Sequence, residues 1–465
     1  MKQDLGKGYF WDKGFYRALL VLALPMALQQ LIGTSLQLVD SVMIGQLGEV
    51  AMASVNQAGQ WKFLLDLVIF GTAGATTMFA AQFWGNRDLA GIAKVQGLML
   101  RITLAVSCLF MAVALFAPQA VLSIFSNDAR VIEQGGGYLR ILALCFPIVA
   151  VTNSYSAILR STEQVRLPMF CSIMGIVTNV CLNYILIFGK LGLPALGMPG
   201  AAIATVIAAG VECALMVGLS YKMHMPAAAR LRQLKWPGME FFAGFMKRGL
   251  PVIMNEGIWS LGIAACNIAY GRMGVETVAA MNVAGTLERL CMVALFSISG
   301  ATAILIGKHI GQGDLREARR DANRLLFVGP ALGAVMGVVV ILIAEPAVTI
   351  YNVSPEVRAT AVTLMRILGV VSCFRVFNNI NIVGVLRGGG DTVTSLCLDT
   401  MPLWFYTVPV AFIGGLALHL PITALYPLVM CEDVIKAALG YLRVRSGKWV
   451  HDLTQLDAPK QEELA

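Results

Sequence analysis

Charge is scarce in this chain. Only 13% of its 465 residues are Asp, Glu, Lys or Arg, about half the usual share for a soluble domain. At 57% hydrophobic, it has too little polar surface to cover a water-soluble fold of this length. Histidine is scarcer still, with four residues scattered at 224, 309, 419 and 451. That spacing argues against a membrane metalloenzyme, which needs His or Asp clustered at ligand distance. No HExxH, GxSxG or Walker pattern occurs, so nothing points to hydrolysis or ATP use. The ten cysteines show no CxxC spacing and all fall in predicted spans, which predicts free buried thiols. The expectation is therefore a non-enzyme with no cofactor and no metal.

What the chain does have is long apolar runs. A helix of about 20 apolar residues crosses the hydrocarbon of a bilayer. In lipid only helices and closed barrels satisfy their backbone groups, and these runs are too long and unbroken for barrel strands. About twelve spans are predicted, near 17–45, 59–84, 98–125, 138–160, 168–187, 197–221, 249–272, 285–310, 322–350, 360–385, 392–418 and 421–445. The fold class is all-α integral membrane.

The net charge of +8 raises the question of nucleic acid. Numbering the loops alternately from an inner N-terminus puts Arg87, Lys94, Arg160, Arg166, Arg316, Arg319 and Arg320 on the inner side, with few basic residues outside. That bias follows the positive-inside rule. It predicts two cytoplasmic termini and no nucleic-acid partner.

The chain also repeats itself. Shifted by 226, Leu24-Pro25 falls on Leu250-Pro251, Gly45 and Gly48 on Gly271 and Gly274, and Asn56 on Asn282. "GNRDL" at 85–89 falls on "GQGDL" at 311–315, and one residue further on Leu159-Arg160 meets Leu386-Arg387. Six spans per half is an even number, so both halves have the same orientation, the parallel-repeat plan of some secondary transporters. The expected organisation is a cytoplasmic segment at 1–16, an N-lobe at 17–221, a basic linker at 222–248, a C-lobe at 249–445 and a tail at 446–465. The glycine-rich "LRGGGDT" at 386–392 lacks phosphate-loop spacing and reads as a tight inner turn.

The stretches "ALPMALQQLIGTSLQLVDSVMIGQLG", "AAQFWGNRDL", "AILRSTEQVRLPM", "GLPVIMNEGIWSLG" and "GVLRGGGDT" give the chain, over nearly its whole length, a resemblance to the multidrug and toxic compound extrusion (MATE) transporters. It looks most like the NorM-type branch. The resemblance implies two six-helix bundles alternating between outward-open and inward-open states. It also implies export of amphipathic, often cationic, compounds driven by inflow of H⁺ or Na⁺, and a monomer among membrane lipid. A lipid-linked precursor flippase of the same superfamily is the alternative. It would want a cationic cavity, for which Arg375 and Arg289 are the few mid-span candidates.

Two acids are the expected coupling residues. Asp40 follows an apolar run with no charge after Arg17. An ionised carboxylate in hydrocarbon costs at least a few kcal/mol, so such groups face cavities and work. An acid at a helix end, wetted by the outer loop, is the plain alternative. Glu256 sits five residues after Pro251, flanked by Asn255 and Gly257, and matches the seventh-span acid of the NorM-type branch. That branch also has a tenth-span Asp; here the distance from Arg387 falls on Val376, with Asn378 and Asn379 nearby. Their amide oxygens carry no charge, which weakens a Na⁺ site and favours protons. Gln37, Asn153, Asn179 and Asn183 are the supporting polar residues of the N-half. Asn179 and Asn183, four apart, share a helix face, and Asn179 is expected near Asp40. Gln29, Tyr155, Thr205 and Trp259 are the expected substrate-cavity residues. Asp66, Glu212, Asp399 and Glu432-Asp433 are further span acids with no family match.

Overall fold

The computed structural model describes residues 12–454 except 231 and 352; the side chains at 37, 38, 287, 290, 291 and 294 also fall outside the described set. The predicted roles of Gln37 and the Cys291 thiol therefore lie outside the described residues. The first half comprises α1 (Lys13–Gly45), α2 (Glu49–Gly85), α3 (Leu89–Phe116), a short α4 (Pro118–Ser123), α5 (Ala129–Ala143), α6 (Phe146–Ser161), α7 (Arg166–Phe188) and α8 (Met198–Lys222). The second comprises α9 (Met239–Arg272), α10 (Val275–Gly311), α11 (Leu315–Thr349), α12 (Pro355–Asn378), α13 (Thr392–Pro402), α14 (Val408–Phe412) and α15 (Ile422–Arg445). Three π-helical stretches, Asn379–Leu386, Leu403–Thr407 and Ile413–Ala417, extend α12, α13 and α14. Among the described residues every regular element is helical.

Among the described residues nine helices are long and apolar enough to cross a membrane, and α5 with α6, bent by 45°, makes a tenth. The bend has a local cause. Pro147 follows it in the first turn of α6, and a proline ring lacks the N–H that would tie the two helices into one ladder. Of the twelve predicted spans, α10 and α15 stand outside that count. α15 carries Glu432, Asp433 and Lys436 in mid-helix, and only Leu295–Gly311 of α10 registers as an apolar helix. Nine cysteines are described and all are free, but Cys108, Cys181 and Cys431 are exposed rather than buried.

The chain divides into two compact units, Leu28–Gly244 and Phe245–Ala465, the second taking in Met1–Ala27; the division falls within α1. The core of the first unit gathers Ala58, Leu65, Leu139, Phe146 and Ala202. That of the second gathers Ala269, Ala280, Val340, Leu364 and Leu425.

The duplication is written into the backbone. After α2, the N–H groups of Asn86, Arg87 and Asp88 bond the carbonyls of Gln82, Trp84 and Phe83. After α10, those of Gln312, Gly313 and Asp314 bond Lys308, Ile310 and His309, the same pattern 226 residues on. The left-handed residue of this turn is Arg87 (φ 59°) in the first half and Gly313 (φ 77°) in the second. Asp88 and Asp314 then cap the next helix through the N–H groups of Gly91 and Glu317. A second matched turn follows α6 and Leu386, centred on Glu163 and Gly390. The "LRGGGDT" segment is this turn. Trp449, fully buried, lies where a side chain at Gly389 would go, and Arg443 pairs with Asp391 at 2.6 Å. The glycines admit the C-terminal segment against the turn.

Candidate functional site

In the first unit, polar residues from three helices meet at two levels. At the upper level, Asn183 on α7 donates from Nδ2 to Asp40 Oδ1 on α1 at 2.7 Å and also to Asn179 Oδ1 at 3.0 Å. Asn179 in turn donates to Thr205 Oγ1 on α8 at 3.4 Å. Asp40 has no Lys, Arg or His within 4 Å among the described residues. Asn183 Oδ1 is buried and accepts no hydrogen bond. Two oxygen acceptors thus stand together without a countercharge, an arrangement that favours a proton or another small cation. The residue touching Asp40 is Asn183, with Asn179 one step behind it.

At the lower level, Gln29 Nε2 on α1 donates to Ser172 Oγ on α7 at 2.8 Å. Ser172 donates to Glu212 Oε1 on α8 at 2.6 Å. Of the remaining candidates, Asn153 among the described residues bonds only the Val149 carbonyl of its own helix. The Tyr155 hydroxyl faces that of Tyr221 at 3.5 Å.

The second unit answers with paired charges. Glu256 on α9 meets Arg387 Nη1 at 2.8 Å, with both side chains largely buried. Arg387 also lies 3.9 Å from Asp399. Asp399 accepts from Asn255 at 2.8 Å and from Lys436 at 3.1 Å, and Lys436 pairs with Glu432 at 2.5 Å. Beside this chain, Arg375 pairs with Glu288 at 2.5 Å. Asn378 donates to Asp433 at 3.1 Å, and Ser299 donates to Asn379. Cys266, where the shift of 226 places the partner of Asp40, is buried in the apolar core. Trp259 is exposed on α9, and it is not among the residues lining the open apolar crevice of about 390 Å³ formed by Ile258, Thr400, Met401, Trp404 and Phe405.

The MatE family model matches this chain twice, over residues 25–185 and 251–413. The chain belongs to the MatE family. The two matches begin 226 residues apart, the shift that superposes the Leu-Pro pairs. MatE proteins are transporters, not enzymes, and this one is a multi-pass membrane protein. Among its relatives are the multidrug resistance protein PmpM of Pseudomonas aeruginosa, 26% identical over 86% of this chain and 84% of that protein, and a probable multidrug resistance protein NorM of Thermotoga maritima, 22% identical over 93% of each. The fold matches the crystal structure of the Vibrio cholerae MATE transporter VcmN in its bent form with a TM-score of 0.84, at 19% identity over 96% of this chain and all of that one.

Sequence reasoning set aside several residues that this MatE protein brings into its polar clusters. Ser172 and Glu288 carry no mark in the sequence, and Arg387 stands out there only as a landmark of the repeat. For Glu212 and Asp399 the sequence supplies no partner. The usable signal was an acid and a base at i and i+4 in Glu432 and Lys436, in the middle of a span. A charge there is expensive unless paired.

Proposed function

We propose that this MatE-family protein exports amphipathic organic cations in exchange for protons, with Asp40 as the coupling acid and both termini in the cytoplasm. It works as a monomer in the lipid bilayer by alternating access, in which protonation of Asp40 biases the two states. The multidrug relatives support an organic substrate. The observation that carries the choice of ion is the contrast between the two units. Asp40 has one neutral donor and no countercharge, whereas Glu256 already has a guanidinium 2.8 Å away. A Na⁺ ion at Glu256 would have to displace Arg387 from a buried site and leave that cation unpaired. Na⁺, a hard cation, also seeks several oxygen ligands. Asn379 Oδ1 already accepts from Ser299, and Asn378, which donates its amide N–H to Asp433, leaves one buried neutral oxygen without a donor. The flippase alternative finds less support: of its two candidate cations, Arg375 is matched to a carboxylate, and Arg289 is an exposed group bonded to the Thr286 hydroxyl of its own helix.

The test is transport of ethidium in proteoliposomes with pH and Na⁺ gradients imposed separately. A pH gradient should drive accumulation and a Na⁺ gradient alone should not. Accumulation that follows Na⁺ and is abolished by Glu256→Gln would move the coupling to the second unit.

A further inference from the structure

The first unit contains a second acid without a countercharge. Glu212 lies in the middle of α8, half-buried, and among the described residues its one hydrogen-bond partner is Ser172. Ser172 is itself held by Gln29, so a directed chain of donors runs from α1 through α7 to the carboxylate. The carboxylate occupies a niche that α7 leaves open. A side chain at Gly175 would meet Glu212 Cβ at 3.0 Å and Oε2 at 3.2 Å. Among the described residues the titratable groups close enough to interact with it electrostatically are the thiols of Cys171 on α7 and Cys213 on α8, with Tyr155 of α6 next to Cys213. α1 contributes the neutral Gln29, and no Lys, Arg or His from any of these helices pairs with it.

This level is built like the level of Asp40 and from the same helices. Positions seven or eleven apart lie within about 20° of one line along an α-helix. On α1, Gln29 and Asp40 are eleven apart; on α7, Ser172, Asn179 and Asn183 are spaced by seven and four; on α8, Thr205 and Glu212 are seven apart. Each helix therefore presents one polar line. On α1 and α7 the two levels are eleven residues apart, about 16 Å along the helix axis at a rise of about 1.5 Å per residue.

The internal repeat gives an independent comparison. The shift of 226 carries Gln29 to Asn255, and the shift of 227 carries Ser172 to Asp399. The hydrogen bond is kept: Asn255 donates to Asp399 at 2.8 Å, as Gln29 donates to Ser172 at 2.8 Å. In both halves the third member comes from the sixth span. In the second half it is Lys436, a built-in cation 3.1 Å from Asp399. In the first half it is Glu212, and the cation is not part of the chain.

We propose that Glu212 is a second exchange site of the first unit, where a proton is traded for the positive centre of an organic cation. When the cation arrives, the O–H bond of the Glu212 carboxyl breaks and the proton passes to bulk water. The carboxylate then pairs with the cation, held in place by Ser172 and Gln29. This rests on the reading that the protein exchanges protons for organic cations, but it assigns a different residue from Asp40.

The experiment measures protons released per tetraphenylphosphonium bound. The full-length protein in detergent is titrated calorimetrically in buffers of different ionisation enthalpy. Glu212→Gln should release about half as many protons as the wild type and bind the cation about tenfold more weakly. A proton count equal to wild type overturns the proposal, and so does weaker binding with an unchanged count, since that would make Glu212 a fixed countercharge. Asp40→Asn, run in parallel, separates the two assignments. A count reduced by Glu212→Gln but not by Asp40→Asn removes Asp40 from the mechanism and leaves Glu212 standing. If Glu212→Gln fails to fold, Ser172→Ala serves instead. It should move the pH at which release is half-maximal, while Thr178→Ala, whose hydroxyl bonds only the Met174 carbonyl of its own helix, should not. An identical pH profile for Ser172→Ala overturns the proposal.

Discussion

Removing Arg387 tests whether Glu256 is closed by its own chain. At 2.8 Å the pair attracts by about 6 kcal/mol, taking an effective dielectric constant of about 20. Against this stands a desolvation cost of several kcal/mol for each buried ion, so the pair as a whole adds little net stability. Breaking it is a different matter. Arg387 is 7% exposed, and Arg387→Met leaves Glu256 without its cation. Asp399 keeps Lys436 and Asn255, so the loss falls mainly on Glu256. The expected cost is about 3 kcal/mol, at the low end for a broken buried pair. Removing both charges, in Glu256→Met with Arg387→Met, should bring stability back to within about 1 kcal/mol of wild type. The assay is unfolding of the purified protein in mixed micelles with increasing denaturing detergent. An Arg387→Met protein as stable as wild type, or a double variant as weak as the single one, would refute the reasoning.

Two further predictions concern the matched turns. Arg87 holds a left-handed φ of 59° where the second half has Gly313. Because non-glycine residues are strained there, Arg87→Gly should stabilise the protein by about 0.5–1 kcal/mol, and Gly313→Ala should destabilise it similarly, both read from thermal unfolding. At the other turn, the His451 N–H bonds the Gly389 carbonyl at 2.8 Å. Burial first, and then the Arg248 charge, hold the imidazole below its usual protonation range. The folded state therefore binds fewer protons than the unfolded one near pH 6.5, and stability falls as pH drops through that value. The protection factors at Trp449 and His451, exchange rates corrected for the intrinsic pH dependence, should fall on acidification in the wild type and stay level in His451→Gln.

The apolar runs and the repeat were plain in the sequence, because span length and the positions of Gly, Pro and Asp are local properties. Asp40 was visible for the same reason: a lone acid late in an apolar helix stands out. The partners were not visible. Glu256 and Arg387 are far apart in the chain, and the π-helical stretch Asn379–Leu386 directly before Arg387 changes the face on which it lies, since such stretches add a residue to the turn. Ser172 carries no charge to mark it. Its role emerges only when the lower level of one half is laid on that of the other, where Asp399 takes its place. The exposed thiols of Cys108, Cys181 and Cys431 show a related limit. In a lipid-facing helix an apolar residue need not be buried in protein, so hydrophobicity alone does not say which side of a helix is inside.

The most direct measurement of proton coupling at Asp40 compares two modes of transport in one preparation. Asp40→Asn should still exchange labelled for unlabelled substrate across the membrane when no gradient is present, yet fail to accumulate substrate when a pH gradient is imposed. An Asp40→Asn protein that accumulates substrate against its gradient as the wild type does would contradict the account.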